Sequence, residues 1–107
     1  MTPSFHAHIY YDQSTRLVAE EIRQELGGRF QVTLGNWHDE PVGPHPESMY
    51  QVTIPGEAFA PVTEWLMLNR QGLTVLVHPN TGQDLEDHRD YALWMGRVLP
   101  LNLDILQ

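Results

Sequence analysis

The chain has 107 residues, with 14 acidic and 6 basic side chains and a formal net charge of −8 at pH 7. All the basic residues are arginines scattered along the chain, so the sequence lacks the positive patch that nucleic acid or an anionic membrane surface would require. The absence of cysteine excludes disulfides and thiolate metal sites. We expect a single cytoplasmic domain over residues 1–107, because no stretch resembles a signal peptide or a membrane span.

The first predicted strand, residues 5–12, has two different faces, because alternate side chains of a strand point to opposite sides. One face is largely apolar and holds Phe5, Ala7, Ile9 and Tyr11. The other face holds His6, His8 and Tyr10. Residues two apart on one strand face lie about 6–7 Å apart. The two imidazoles could therefore share one metal ion or one substrate.

Three helices are predicted further along the chain. The first begins at a cap on Asp12 or Ser14 and runs to about residue 26, where a pair of glycines should stop it. The second starts near Pro61, which suits a first helical turn, and ends before residue 72. A short third helix should begin at residue 84 or 87 and end near residue 96.

Alternation of apolar and polar side chains predicts further strands over residues 30–34, 48–54 and 73–78. The connection between the first two of these, residues 35–46, is long for a compact domain and rich in turn-forming residues, which is typical of a functional loop. Residues 99–105 alternate as well and predict a C-terminal strand, which Pro100 would place at a sheet edge.

The predicted order, β-α-β-β-α-β, is that of an α+β ferredoxin-like fold, an antiparallel sheet with two helices on one face. The short third helix and the C-terminal strand would add to it. In this topology the first and fourth strands are central antiparallel neighbours. The start of the first strand, with His6 and His8, should then lie beside the end of the fourth, where His78 stands.

Three histidines on one sheet face favour a metal centre, since neutral imidazole is a common ligand for iron, zinc and copper. We expect His8 and His78 to be ligands, with His45 as the third because flanking prolines fix its backbone. His6 is the reserve ligand or an acid–base group. Further candidates for completing the ligand set are His38, Glu47 and His88. His88 is better interpreted as a histidine held by carboxylates at a helix start, and His38 as part of an exposed turn.

Several short motifs stand out along the chain: HAHIYY at 6–11, PVGPHP at 41–46, WL at 65–66 followed by NR at 69–70, VLVHP at 75–79 and DH at 87–88. Together, and in this order from about residue 5 to residue 101, they resemble the Dopa 4,5-dioxygenase family. The resemblance implies a ferredoxin-like fold, non-haem iron and extradiol cleavage of a catechol ring. It leaves the substrate open.

From the residues and the resemblance together, we expect an iron(II)-dependent extradiol dioxygenase that opens a catechol such as DOPA with O₂. Zinc or manganese could occupy the site in a purified sample. Tyr10 could hydrogen-bond a substrate oxygen, and Arg70 could pair with a substrate carboxylate. The alternative is a non-catalytic, dimeric ferredoxin-like module for metal binding or assembly.

We also expect a homodimer, because the sheet face that carries the histidines includes apolar side chains that the predicted helices do not cover. The apolar side of residues 99–105 could join the partner's sheet or lie across the partner's site.

Overall fold

A computed structural model describes residues 3–107, in which five antiparallel strands form one sheet with the order β2-β3-β1-β4-β5. The strands are β1 (Ser4–Tyr11), β2 (Thr33–His38), β3 (Ser48–Pro55), β4 (Val75–Pro79) and β5 (Leu93–Met95). The helices are α1 (Arg16–Arg29), α2 (Phe59–Asn69) and α3 (Asp84–Arg89), and short 3-10 turns form at Gly56–Ala58 and Leu103–Leu106. The predicted ferredoxin-like α+β fold is confirmed.

The main core lies between the sheet and the two longer helices, because the apolar side of each central strand points toward them. Ala7 and Ile9 of β1 pack in it with Ile22 of α1 and Leu66 of α2. A smaller apolar cluster lies on the other side of the sheet, which we call the open face. Its buried members are Tyr10, Met49, Leu76 and Leu99. The face assignment predicted from the period of two is therefore confirmed.

The register of β1 with β4 brings the predicted histidines together. His6 lies directly opposite His78, and His8 lies opposite Leu76. Since β1 is also paired with β3 on its other side, β1 and β4 are central antiparallel neighbours, as predicted.

The prediction that Gly27 and Gly28 stop the first helix is wrong, because α1 continues through both glycines to Arg29. Arg29 pairs with Glu25 one turn earlier, which supports the last turn. A Cβ at Gly27 would lie 3.0 Å from the Leu34 side chain, so this glycine allows the helix to approach β2 closely.

The second strand lies later than predicted, at Thr33–His38 instead of residues 30–34, so part of the expected loop is strand. Its pairing with β3 shifts between Leu34 and Trp37, which marks a bulge. A Cβ at Gly35 would lie 2.9 Å from the Gln51 carbonyl oxygen, so only glycine fits where the two strands approach.

The predicted C-terminal strand is also wrong. The fifth strand is Leu93–Met95, and it pairs with β4. We expected the third helix to continue through these residues, but α3 ends at Arg89. Residues 99–102 instead turn tightly, with the Leu101 N–H donating to the Leu99 carbonyl across Pro100, and a 3-10 turn follows. Their alternation reflects packing of Leu99 and Leu101 onto the open face.

Within residues 3–107, none of the helices combines the length and the apolar character needed to cross a membrane.

Candidate metal centre

Imidazoles from four different segments converge on the open face of the sheet. β1 supplies His6 and His8, β4 supplies His78, the loop before β3 supplies His45, and α3 supplies His88. The ring centre of His8 lies 4.2 Å from that of His45 and 5.1 Å from that of His78. The ring centres of His78 and His88 are 4.1 Å apart, and the two rings are tilted by 41°. We call these five residues the histidine cluster.

Two members of the cluster have an outer nitrogen that must carry a proton. Nδ1 of His78 lies 2.8 Å from the Pro79 carbonyl oxygen, and Nδ1 of His88 lies 2.7 Å from the Asp84 carbonyl oxygen. A carbonyl only accepts hydrogen bonds, so both Nδ1 atoms donate and both Nε2 atoms hold a free lone pair. Fixing the tautomer through an outer hydrogen bond is typical of metal-binding histidines.

His8 lies at the centre of the cluster and is 2% exposed. Its Nε2 is 3.0 Å from Nε2 of His78, whereas its Nδ1 is buried without a hydrogen-bond partner. Two nitrogens bound at about 2.1 Å to one metal ion, at a right angle, would also be about 3 Å apart. The spacing therefore fits a metal ion held between Nε2 of His8 and Nε2 of His78, whereas the unpartnered Nδ1 of His8 lies on the other side of the ring and would not contact that ion.

The ligand atoms form two groups that share His8. One group is His6, His8 and His78, and the other is His8, His45 and His88; within each, the atoms lie within 4.8 Å of one another. The structure therefore brings together the predicted ligands His8 and His78, with His6 beside them. His45, our expected third ligand, belongs to the second group.

Burial favours the neutral, ligand-competent form of four histidines, His6, His8, His45 and His78. Desolvation lowers the pKa of His45 and of His78 to about 4, with neighbouring histidines adding to the effect. It also lowers the pKa of His8 and that of His6. At pH 7 a metal ion would not have to compete with protons for these nitrogens.

The metal-free protein should lose stability as the pH falls from about 6.5 to about 4. The folded-state pKa values of His45 and His78 lie near 4, below the ordinary value of 6.5, so the unfolded chain binds more protons in this window. The free energy of unfolding should decrease by about 3 kcal/mol for each of these two histidines across this pH window. Below about pH 4 their contribution should change no further. Urea unfolding at several pH values measures this decrease. His45→Asn should show a shallower dependence than the wild type; an identical dependence would contradict the assignment.

Tyr10 lies on the open face as predicted, but its hydroxyl is already engaged. Its oxygen is 2.6 Å from Nδ1 of His45, and burial raises the pKa of Tyr10 so that the phenol stays protonated. The residue therefore holds His45, and a hydrogen bond from Tyr10 to a substrate oxygen stays a prediction.

Arg70 is not brought to the histidine cluster. It follows the last turn of α2, the helix that packs on the opposite face of the sheet, and donates to the Met67 carbonyl oxygen. Its placement gives no support to a contact with substrate. Two further candidates also point elsewhere: Glu47 pairs with Arg97, and His38 ends β2 outside both groups of ligand atoms.

Sequence reasoning ranked His88 too low. The residue stands in the last turn of α3, not at a helix start, and the neighbouring Asp87 carboxylate binds Thr81 instead of the imidazole. Because Thr81 lies two residues after the end of β4, this contact brings α3 back toward His78. The short separation between His78 and His88 in the sequence is compatible with such a return but does not require it.

Comparison with known proteins identifies a matching family and several similar proteins. The sequence profile of the Dopa 4,5-dioxygenase family matches residues 5–105. A DOPA 4,5-dioxygenase from Amanita muscaria is 37% identical over 92% of this chain, and an uncharacterized 21.2 kDa protein from Botryotinia fuckeliana is 36% identical over 97%. The crystal structure of a candidate dioxygenase from Nostoc punctiforme has 51% identity and a TM-score of 0.96, covering 98% of this chain and 91% of that one.

The two fungal relatives are longer than this chain. The match spans 47% of the Amanita protein and 63% of the Botryotinia protein.

Proposed function

The chain belongs to the Dopa 4,5-dioxygenase family, and from this premise we propose that it is a metal-dependent extradiol dioxygenase that opens the ring of a catechol such as DOPA. The observation that carries the proposal is the histidine cluster around His8, a buried imidazole whose Nε2 lies 3.0 Å from Nε2 of His78. Two ring nitrogens at this distance match two ligands of one metal ion.

We propose His6, His8 and His78 as the metal ligands. They stand on two paired strands, which hold side chains more rigidly than loops do. His78 has its tautomer fixed by Pro79. Bound iron(II) would supply the electron-transfer chemistry that allows dioxygen to react with a catechol, which redox-inactive zinc does not offer. Three protein ligands leave positions open for substrate.

His45 and His88 would then face the substrate. Both belong to the second group of ligand atoms, which they share with His8. Neither stands on β1 or β4, the strands that carry the proposed ligands. A catechol loses a proton on binding a metal, and a neutral imidazole nearby can accept it at Nε2 when Nδ1 carries the ring proton. For His45 this is the tautomer in which Nδ1–H donates to the Tyr10 oxygen. The acid–base role that we first considered for His6 is therefore proposed for His45, whose ring is oriented by the Tyr10 hydroxyl.

Metal reconstitution tests this proposal. The protein is stripped of metal, loaded with iron(II) or with zinc without oxygen, mixed with DOPA and then exposed to air. Iron-loaded protein should consume oxygen and develop a yellow absorbance, whereas zinc-loaded protein should do neither. A tightly bound zinc ion with no oxygen uptake for any metal would favour the non-catalytic module instead.

We retain the homodimer as part of the proposal, but on a different basis. The C-terminal residues pack on their own sheet, so they give no support to exchange between subunits. What supports pairing is apolar surface outside the core: Tyr91 and Ile105 are each 55% exposed, and Val98 is 74% exposed. Light scattering at micromolar concentration should give twice the 12.3 kDa of one chain. A mass of one chain would overturn the dimer and leave the enzyme proposal intact.

The cytoplasmic location stays a prediction.

A further inference from the structure

We propose that the C-terminal tail, residues 99–106, is a positioning element of the site that holds His45 in its working place. The inference rests on the proposed function, in which His45 faces the substrate. It adds a role for a segment that contributes no residue to the histidine cluster. Two sets of contacts carry it: one fixes the backbone beside His45, and the other fixes its ring.

The tail is packed onto the open face beside the site. Leu99 is 5% exposed and is a buried member of the open-face cluster with Tyr10, and Leu101 packs against the same cluster. Pro100 lies in the tight turn that directs both leucines to the sheet, closed by the hydrogen bond from the Leu101 N–H to the Leu99 carbonyl. The tail is therefore anchored on the apolar cluster that includes Tyr10, the strand residue that contacts His45.

The backbone contact joins the tail to the loop that carries His45. The Asn102 N–H donates to the Pro44 carbonyl oxygen over 2.8 Å, and Pro44 directly precedes His45. The His45 N–H donates to the Val42 carbonyl oxygen over 3.0 Å, which closes a turn within the loop. Residues 39–47 contain no helix or strand, so bonds from other segments set the position of this loop.

The ring contact comes from Tyr10, whose hydroxyl meets Nδ1 of His45 at 2.6 Å. Tyr10 is 1% exposed, and Leu99 of the tail belongs to the same buried cluster. The tail thus supports both restraints on His45, the backbone one directly and the ring one through Tyr10. Since a small displacement of an acid–base group costs much of its effect, loosening the tail should weaken turnover.

The backbone bond can be removed without removing a side-chain contact of the site. In Asn102→Pro the residue loses its N–H, and its φ of −82° is close to the value that proline adopts. Asn102→Ala keeps the N–H and is the matched control. Tyr10→Phe removes the hydroxyl that holds the ring, so it tests the other restraint.

Amide hydrogen exchange and steady-state kinetics give independent readouts. In Asn102→Pro, exchange of the His45 amide should be about tenfold faster and kcat/KM about tenfold lower than in Asn102→Ala, within the range typical for outer hydrogen-bond partners. Iron content should be the same in both, because the proposed ligands lie on β1 and β4. Tyr10→Phe should lower kcat/KM similarly and shift the ¹⁵N resonance of His45 Nδ1.

Equal exchange and equal kcat/KM in the proline and alanine variants would overturn the inference. A proline variant that loses iron in proportion to activity would overturn it too, because the tail would then support the whole site and not His45. If the proline variant does not fold, exchange of the Asn102 amide in the wild type decides: protection supports the bond to Pro44, and free exchange overturns it. Exchange needs no turnover, so these results are separable from failure of the proposed dioxygenase activity.

Discussion

His8→Ala is expected to abolish metal-dependent activity and to weaken metal binding by about 100-fold or more, beyond the loss typical of an outer partner. His8 is the residue shared by both groups of ligand atoms, so neither of the three-histidine groups identified within residues 3–107 remains complete after its removal. Its side chain is 2% exposed, so the substitution also leaves a cavity. Isothermal titration of the metal-free protein with iron(II) measures the affinity, and oxygen consumption measures the activity.

His38→Ala is the matched control for this experiment. His38 is a histidine at the end of β2 that belongs to neither group of ligand atoms, so its removal should leave metal affinity within about twofold of the wild type. Circular dichroism should show that both variants keep the fold. Near-normal metal affinity in His8→Ala would mean that the metal site lies elsewhere.

His78→Ala should cause the second largest loss of metal affinity and activity. This loss should be clearly larger than the loss in His88→Ala. Both histidines have Nδ1 bonded to a carbonyl oxygen, so in the neutral ring each has its lone pair on Nε2. They differ in position, since His78 lies on the central strand β4, with Nε2 3.0 Å from that of His8, whereas His88 lies on the short helix α3. We expect His78→Ala to lose metal and activity together.

His88→Ala should retain metal and lose activity only in part, which a metal assay on the purified variants would show directly. The reverse order, with metal lost in His88→Ala and kept in His78→Ala, would place the ion in the group of His8, His45 and His88. That result would leave a metal-dependent enzyme but would exchange the proposed roles of ligand and acid–base partner.

The central part of the site was predictable because it depends on strand topology. Alternation places His6 and His8 on one face, and the order of elements makes β1 and β4 neighbours, so His78 had to meet them. These steps use only the period of a strand and the connection rules of the fold. They needed no information about loops.

The outer part of the site was not predictable in the same way. His88 reaches the cluster only because the buried Asp87 carboxylate binds Thr81 and turns a helix of six residues back on β4. Residues 99–105 alternate as a strand would, yet they pack as tight turns on the open face. Such contacts depend on the completed sheet, and a local pattern does not distinguish them from pairing at a sheet edge.

The most direct test of the proposed dioxygenase chemistry is isotope incorporation from ¹⁸O₂. Iron-loaded protein is given DOPA under labelled oxygen, and the ring-opened product is analysed by mass spectrometry beside the His8→Ala variant. We predict that both oxygen atoms of one O₂ molecule appear in a product with an opened ring, and that His8→Ala yields no such product. An unopened ring, or a product that carries no label from O₂, would contradict the account.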